Sequence, residues 1–173
     1  MSDDQQTKII ILMGVSGCGK STVGMLLAKD LSWTFYDGDD FHPDANIKKM
    51  SNSIPLTDAD RLPWLDNLRH LIDRHLQMNE SAIIACSALK QSYRKHLKQM
   101  DERVTLIYLH GDFDLIWSRM SSRENHFMKP DMLKSQLNAL ERPSADEAYT
   151  IDVNQSVSEI ISEIKSLTSL SIK

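Results

Sequence analysis

Eight residues near the start of the chain, Gly14-Val15-Ser16-Gly17-Cys18-Gly19-Lys20-Ser21, set three glycines, a lysine and a hydroxyl at the spacing G-x-x-x-x-G-K-[ST]. Glycines let a backbone wrap tightly enough for successive N–H groups to converge on one anion. At this spacing the lysine reaches the β- and γ-phosphates of a nucleoside triphosphate, and the hydroxyl meets Mg²⁺. The nucleotide-binding set is therefore Gly14 to Ser21 with the adjoining Thr22, and Lys20 is also a catalytic candidate. Of the six glycines in the chain, three stand in this loop, which weighs against a chance turn.

A second stretch, Asp37-Gly38-Asp39-Asp40, supplies the carboxylates that phosphoryl transfer needs. One acid helps to hold Mg²⁺, and another orients the acceptor hydroxyl or takes its proton. Asp37 is assigned to the metal with Ser21, and Asp39 to the acceptor. Two residues apart, they point the same way if the strand before them persists. An acidic surface turn is the alternative. A third stretch, Cys86-Ser87-Ala88-Leu89-Lys90, follows an apolar run but lacks the aspartate that usually ends such a strand, which strengthens the assignment of Asp37. Cys86 reads as a small buried apolar residue. Lys90 can reach an anionic group or sit solvated at a helix start. Arg119 and Arg123, four apart on one helix face, can clamp phosphates or stack on adenine; Arg123 is assigned to the transferring phosphate. Lys49 and Arg61 are cations that an anionic acceptor would need, and Asp60 is a candidate cap for the helix that follows, with Pro63 in its first turn.

These residues must be positioned by alternating strands and helices. Lys8–Met13, Thr34–Tyr36, Ala82–Cys86, Val104–Leu109 and Tyr149–Val153 read as five strands. Helices are expected at Ser21–Leu31, from Asp60–Pro63 through Leu76, and over Tyr93–Met100, Phe113–Arg123, Asp131–Leu140 and Val157–Leu167. The alternation predicts an α/β fold: a five-stranded parallel sheet with helices on both faces. With the phosphate loop after the first strand, it suggests a three-layer P-loop kinase fold of the nucleoside-monophosphate-kinase type. By that analogy one domain fills residues 1–173, with an acceptor-binding segment at about 39–65 and a helical lid at about 121–140. Closing a lid would exclude the water that competes with the acceptor.

The totals set the remaining bounds. A chain of 173 residues carrying net charge −4 has no general affinity for nucleic acid implied. No apolar run approaches the ~20 residues of a membrane span, and the polar start lacks a signal-peptide core. Two cysteines at no zinc-like spacing suggest a reducing compartment, and a cytoplasmic enzyme is the expectation.

An ordered set of segments then carries a family resemblance. Asp37-Gly38-Asp39-Asp40-Phe41-His42-Pro43, Pro55 to Leu65, Cys86 to Lys90 with Tyr93-Arg94, His126-Phe127-Met128, and Ser135-Gln136 with Leu140-Glu141 together resemble the gluconokinases, in order from about Ile9 to Val153. The resemblance implies ATP-dependent phosphorylation of D-gluconate on its 6-hydroxyl to give 6-phosphogluconate, the kinase fold above, and commonly a homodimer. Gluconate is a polyol carboxylate, so Asp39 and His42 would serve its hydroxyls while Lys49, Arg61 and Lys90 offset its charge. Two positions depart from the family pattern: Ser53 and Asn125 stand where glycine is usual.

Shikimate kinases are similar over Phe35 to Asp39, but normally have a glycine-rich turn where this chain has Ser87-Ala88-Leu89-Lys90. A nucleoside monophosphate kinase would need a base-reading pocket, for which no signature is present. A nucleotide switch would need Asp-x-x-Gly and Asn-Lys-x-Asp, and the chain has neither.

Overall fold

Five consecutive apolar residues, Ile9–Met13, form strand β1, and their alternating side chains feed two separate cores. Ile9, Ile11 and Met13 face one side of the sheet; Ile10 and Leu12 face the other. A strand buried on both faces must be central, and β1 is. In the computed structural model, which describes residues 6–122 and 130–170, it lies between β3 (Ala82–Ala85) and β4 (Val104–His110). The edges are β2 (Thr34–Asp37) and β5 (Tyr149–Asp152), giving the order β2-β3-β1-β4-β5 with every pair parallel. This is the predicted α/β sheet.

Parallel strands require crossovers, and the helices that supply them cover both faces. On one face lie α3 (Asp58–Met78) and α4 (Gln91–Lys98), through Trp64, Leu68, Ile72, Tyr93 and Leu97. On the other lie α1 (Lys20–Leu31), α5 (Phe113–Ser121), α6 (Pro130–Ala139) and α7 (Val157–Leu167), through Val23, Leu27, Ile116, Met120, Leu133, Ile160 and Ile164. No described helix is long and apolar enough to cross a membrane.

Helix α3 begins earlier than its apolar periodicity suggests. Thr57, not Asp60, is its N-cap: the Thr57 hydroxyl accepts from the Asp60 N–H at 3.1 Å, and the Asp60 carboxylate accepts from the Thr57 N–H at 2.9 Å. This reciprocal capping box satisfies two otherwise orphaned donors, so the helix starts at Asp58 and Pro63 falls beyond its first turn.

The departure at Ser53 has a clear local setting. Helix α2 (Asp44–Ser51) ends in a Schellman motif, with Ile54 N–H donating to Lys49 O at 2.8 Å and Ser53 N–H to Met50 O at 3.1 Å. Ser53 therefore holds φ at 56°, the left-handed region where a Cβ is penalised. Ser53→Gly is expected to raise the urea midpoint by an amount equivalent to ~0.5–1 kcal/mol, the penalty less glycine's greater unfolded-state freedom. A lower midpoint would show that the serine side chain compensates for its backbone.

Candidate active site

The site forms at the carboxyl ends of β1, β2 and β3, where open parallel sheets bind ligands. After Met13 the chain turns through Gly14, Gly17 and Gly19, all at positive φ, and enters α1. Glycine at 17 is required twice over. Its φ is 81°, and a Cβ there would lie 2.4 Å from Met120 Cγ, so the loop rests directly on α5. Helix α1 has Gly19 as its N-cap, with no side-chain cap and no acid in its first turn. Its leading amides and dipole thus remain available to an anion. Lys20 folds back across the loop, its Nζ donating to Gly14 O at 2.9 Å and Val15 O at 3.0 Å. Thr22, the third residue of α1, stands exposed in the same turn.

The two aspartates meet the loop, but by a different geometry from a continued strand. β2 stops at Asp37, and Gly38–Phe41 form a single 3-10 turn. The chain hugs the end of β3 so closely that a Cβ on Gly38 would lie 2.5 Å from Ala85 O. Asp37 caps the turn, its Oδ1 accepting from the Asp39 N–H at 3.0 Å, while its Oδ2 accepts from the Ser21 hydroxyl at 3.2 Å. Ser21 and Asp37, the two residues assigned to the metal, are thus in direct contact. Among the described residues no three His, Cys, Asp or Glu side chains gather into a metal cage. One carboxylate and one hydroxyl are instead a donor set suited to Mg²⁺, which retains waters and binds substrate phosphates.

Asp39 keeps solvent contact as a residue, yet protein crowds its carboxyl. That desolvation pushes its pKa above the ordinary aspartate value, and the nearby Asp37 charge adds to the rise while Lys20 opposes it. Behind them Cys86 is fully buried, and its thiol is pushed up to about 12 by desolvation, with the two aspartates contributing. It is an inert wall, as its place in the sequence suggested.

His42, assigned to the acceptor hydroxyls, is held just after the aspartate turn. Its ring stacks on Trp64 at 4.4 Å between centroids, and Trp64 Nε1 donates to Gly38 O at 2.8 Å. One buried indole therefore supports both the aspartate turn and the histidine. The Asn46 amide nitrogen lies 3.2 Å from His42 Nδ1 and donates to Asp60 O at 2.8 Å. An amide NH₂ can only donate, so Nδ1 accepts and the ring proton sits on Nε2. Burial, reinforced by Arg61, holds the His42 pKa below the ordinary value, which favours the neutral ring.

The three cations assigned to an acceptor carboxylate separate clearly. Lys49 bridges to Asp60 at 2.8 Å, holding that carboxyl down to about 2 together with the Thr57 N–H. Lys90 pairs with Asp58 at 2.9 Å, and Tyr93 donates its hydroxyl to the same carboxylate. Arg61 takes part in no ion pair among the described residues; its guanidinium stands 5.8 Å from the Tyr93 ring centroid. Arg119 lies in the last turn of α5. Arg123, His126 and the Asn125 departure lie outside the described residues, as does the corresponding part of the expected lid.

The turn after β3 departs from its sequence appearance. It has no glycine, yet Ala88 is fully buried at φ 42°. Arg94, also buried, holds this conformation by donating to Ala88 O at 3.1 Å and Leu89 O at 3.0 Å while pairing with Glu147. Trp64, Asn46 and Arg94 are thus supporting residues that residue type alone did not assign. The Thr57-x-x-Asp60 spacing is a local signal for where α3 begins, and hence for the placement of Trp64.

With this geometry in place, comparison with known proteins is specific. The Shikimate kinase family profile matches residues 16–168. The thermosensitive gluconokinase of Escherichia coli (strain K12) is 46% identical over 157 residues, covering 90% of this chain and 84% of that protein. A probable gluconokinase of Mus musculus is 41% identical over 174 residues, covering 90% and 95%. The crystal structure of a gluconokinase from Sinorhizobium meliloti 1021 superposes with a TM-score of 0.82 at 40% identity, covering 94% of this chain and 93% of that one.

Proposed function

The chain belongs to the gluconokinases within the shikimate kinase family of P-loop kinases, and from that premise we infer that it transfers the γ-phosphoryl group of ATP to D-gluconate. The observation that carries the reading is the convergence of a phosphate loop with a turn bearing Asp37 and Asp39, flanked by His42 and Arg61. Phosphoryl transfer needs little covalent chemistry from the protein; it needs alignment and charge neutralisation.

Each residue has a role in this reading. The loop amides and Lys20 hold the β- and γ-phosphates. Ser21 and Asp37 would hold Mg²⁺, which when bound would offset phosphate charge. Asp39 accepts a hydrogen bond from the acceptor hydroxyl, aligns it and receives its proton. His42 donates from Nε2 to a hydroxyl of the polyol. Of the three cations, Arg61 is proposed for the gluconate carboxylate, because Lys49 and Lys90 already neutralise Asp60 and Asp58. Anchoring one end of a linear sugar acid on Arg61 leaves the 6-hydroxyl at the other end for Asp39, giving 6-phosphogluconate. Arg119 and Arg123 are proposed to meet the nucleotide, with Arg123 on the transferring phosphate. A cytoplasmic homodimer completes the reading, and light scattering that returned the 19.7 kDa mass of one chain would remove the dimer.

The test is coupled ADP release with Mg²⁺ and D-gluconate, other aldonates, shikimate, AMP or water as acceptor. Fast turnover with D-gluconate is expected, with little consumption of ATP in water alone. Turnover with shikimate and none with D-gluconate would keep the fold and discard the acceptor assignment.

A further inference from the structure

The phosphate loop is held at its front by a side chain from far along the chain. Gln136, on α6, accepts from the Ser16 N–H through Oε1 at 2.7 Å and donates from Nε2 to the Ser16 hydroxyl at 3.1 Å. The orientation of the amide is fixed by chemistry: a backbone N–H can only donate, so the oxygen must face it. Helix α6 is itself anchored, since Leu133 is fully buried against the cluster that contains Val15, Cys18, Ile116 and Met120. Just after this helix, the Glu141 N–H donates to Leu89 O at 2.8 Å, and its carboxylate accepts from the Gln91 N–H at 2.7 Å. The stretch from Gln136 to Glu141 therefore joins the loop that receives the phosphoryl donor to the turn that carries Lys90.

We propose that Gln136 is a positioning residue for the phosphoryl donor, holding Ser16 so that the phosphate loop is ordered before nucleotide arrives. Among the described residues the Gly17, Gly19, Lys20 and Ser21 amides have no backbone partner within the loop, whereas the Ser16 amide is occupied by Gln136. Gln136 thus fixes one leg of the loop, the Cys18 N–H donates to Val15 O at 3.3 Å, and the four amides named are left to the phosphates. Ordering this leg in advance removes a cost that nucleotide binding would otherwise bear. The inference rests on the kinase reading, but its principal readout does not depend on the acceptor.

The test compares Gln136→Met, Gln136→Glu and Ser16→Ala by calorimetric titration with Mg·ADP in the absence of any acceptor, followed by kcat and KM for ATP. Gln136→Met keeps volume and removes both hydrogen bonds; a ~10-fold weaker ADP affinity is expected, because nucleotide binding must then order the leg that these bonds hold in the free protein. Gln136→Glu can keep both contacts, because the Ser16 hydroxyl can turn and donate. It places a carboxylate beside the phosphates, so its affinity should fall below that of Gln136→Met and recover partly with salt. If Gln136→Met does not fold, Ser16→Ala removes only one side-chain contact and should weaken ADP ~3-fold. Where both fold, Ser16→Ala should add nothing in the Gln136→Met background, because the contact it deletes is already gone. Unchanged ADP affinity in Gln136→Met, tighter binding, or full additivity of the two substitutions would each overturn the proposal. A wrong acceptor assignment would appear only in the acceptor panel and leave these titrations unaltered.

Discussion

Asp39→Asn is expected to lower kcat with D-gluconate by about two to four orders of magnitude, the range for loss of a positioned proton acceptor. The amide keeps size and hydrogen-bonding capacity, so the 3-10 turn survives: Asp39 contributes to it through its backbone, the N–H donating to Asp37 and the carbonyl accepting from the His42 N–H. Nucleotide affinity should be retained, because Asp39 makes none of the phosphate contacts assigned to the loop. A second consequence has the opposite sign. The folded protein raises the Asp39 pKa above the ordinary 3.8, first by desolvation and then through Asp37. Ionising it therefore works against folding: the penalty is absent below the unfolded value and complete above the raised folded value. Asp39→Asn should consequently melt at a higher temperature than the parent at pH 7, and the gap should close as the pH falls through that window. Kinetic loss with a gain in stability is the signature of a charged group placed for function. A variant that kept more than a tenth of kcat would remove Asp39 from the chemistry.

Lys20→Met should cost kcat/KM for ATP about 10²–10³-fold, the magnitude found when one preorganised electrostatic contact to a developing charge is deleted. Unlike Asp39→Asn, it should also weaken nucleotide binding, because the ammonium faces phosphates in ground and transition states alike. The contacts to Gly14 O and Val15 O show how the side chain is stored across the loop, and they explain why arginine should not rescue it. A planar guanidinium cannot replace a compact ammonium lying against two adjacent carbonyls. Measured side by side, the two variants separate donor from acceptor: one loses nucleotide affinity and rate together, the other loses rate alone. Equal loss of ADP affinity in both would mean that Asp39 belongs to the nucleotide site.

Much of this protein was determined by local sequence. The phosphate loop is legible because its glycines, lysine and serine act through backbone geometry and spacing, which a short segment fixes on its own. The three inner strands are legible because a continuous apolar run such as Ile9–Met13 must be buried on both faces, whereas the edge strands β2 and β5 carry only short, partly exposed segments. The segment from Asp37 to His42 indicated carboxylate chemistry through residue type, and the ordered resemblance narrowed the acceptor to gluconate.

Tertiary structure decided which of several equivalent residues is available, because pairing between distant segments leaves no periodic trace. Lys49, Arg61 and Lys90 are alike as cations in the sequence; Asp60 and Asp58 claim two of them only after α2, α3 and α4 assemble. The aspartates converge through a 3-10 turn pressed against β3, a close approach that the identity of Gly38 permits but does not specify. Ala88 takes a left-handed backbone without glycine because Arg94 and Glu147 hold it from outside the turn. Gln136 reaches Ser16 across 120 positions of chain, and no local propensity encodes such a contact. Spacing within a segment fixes what a residue can do; packing between segments fixes which residue is free to do it.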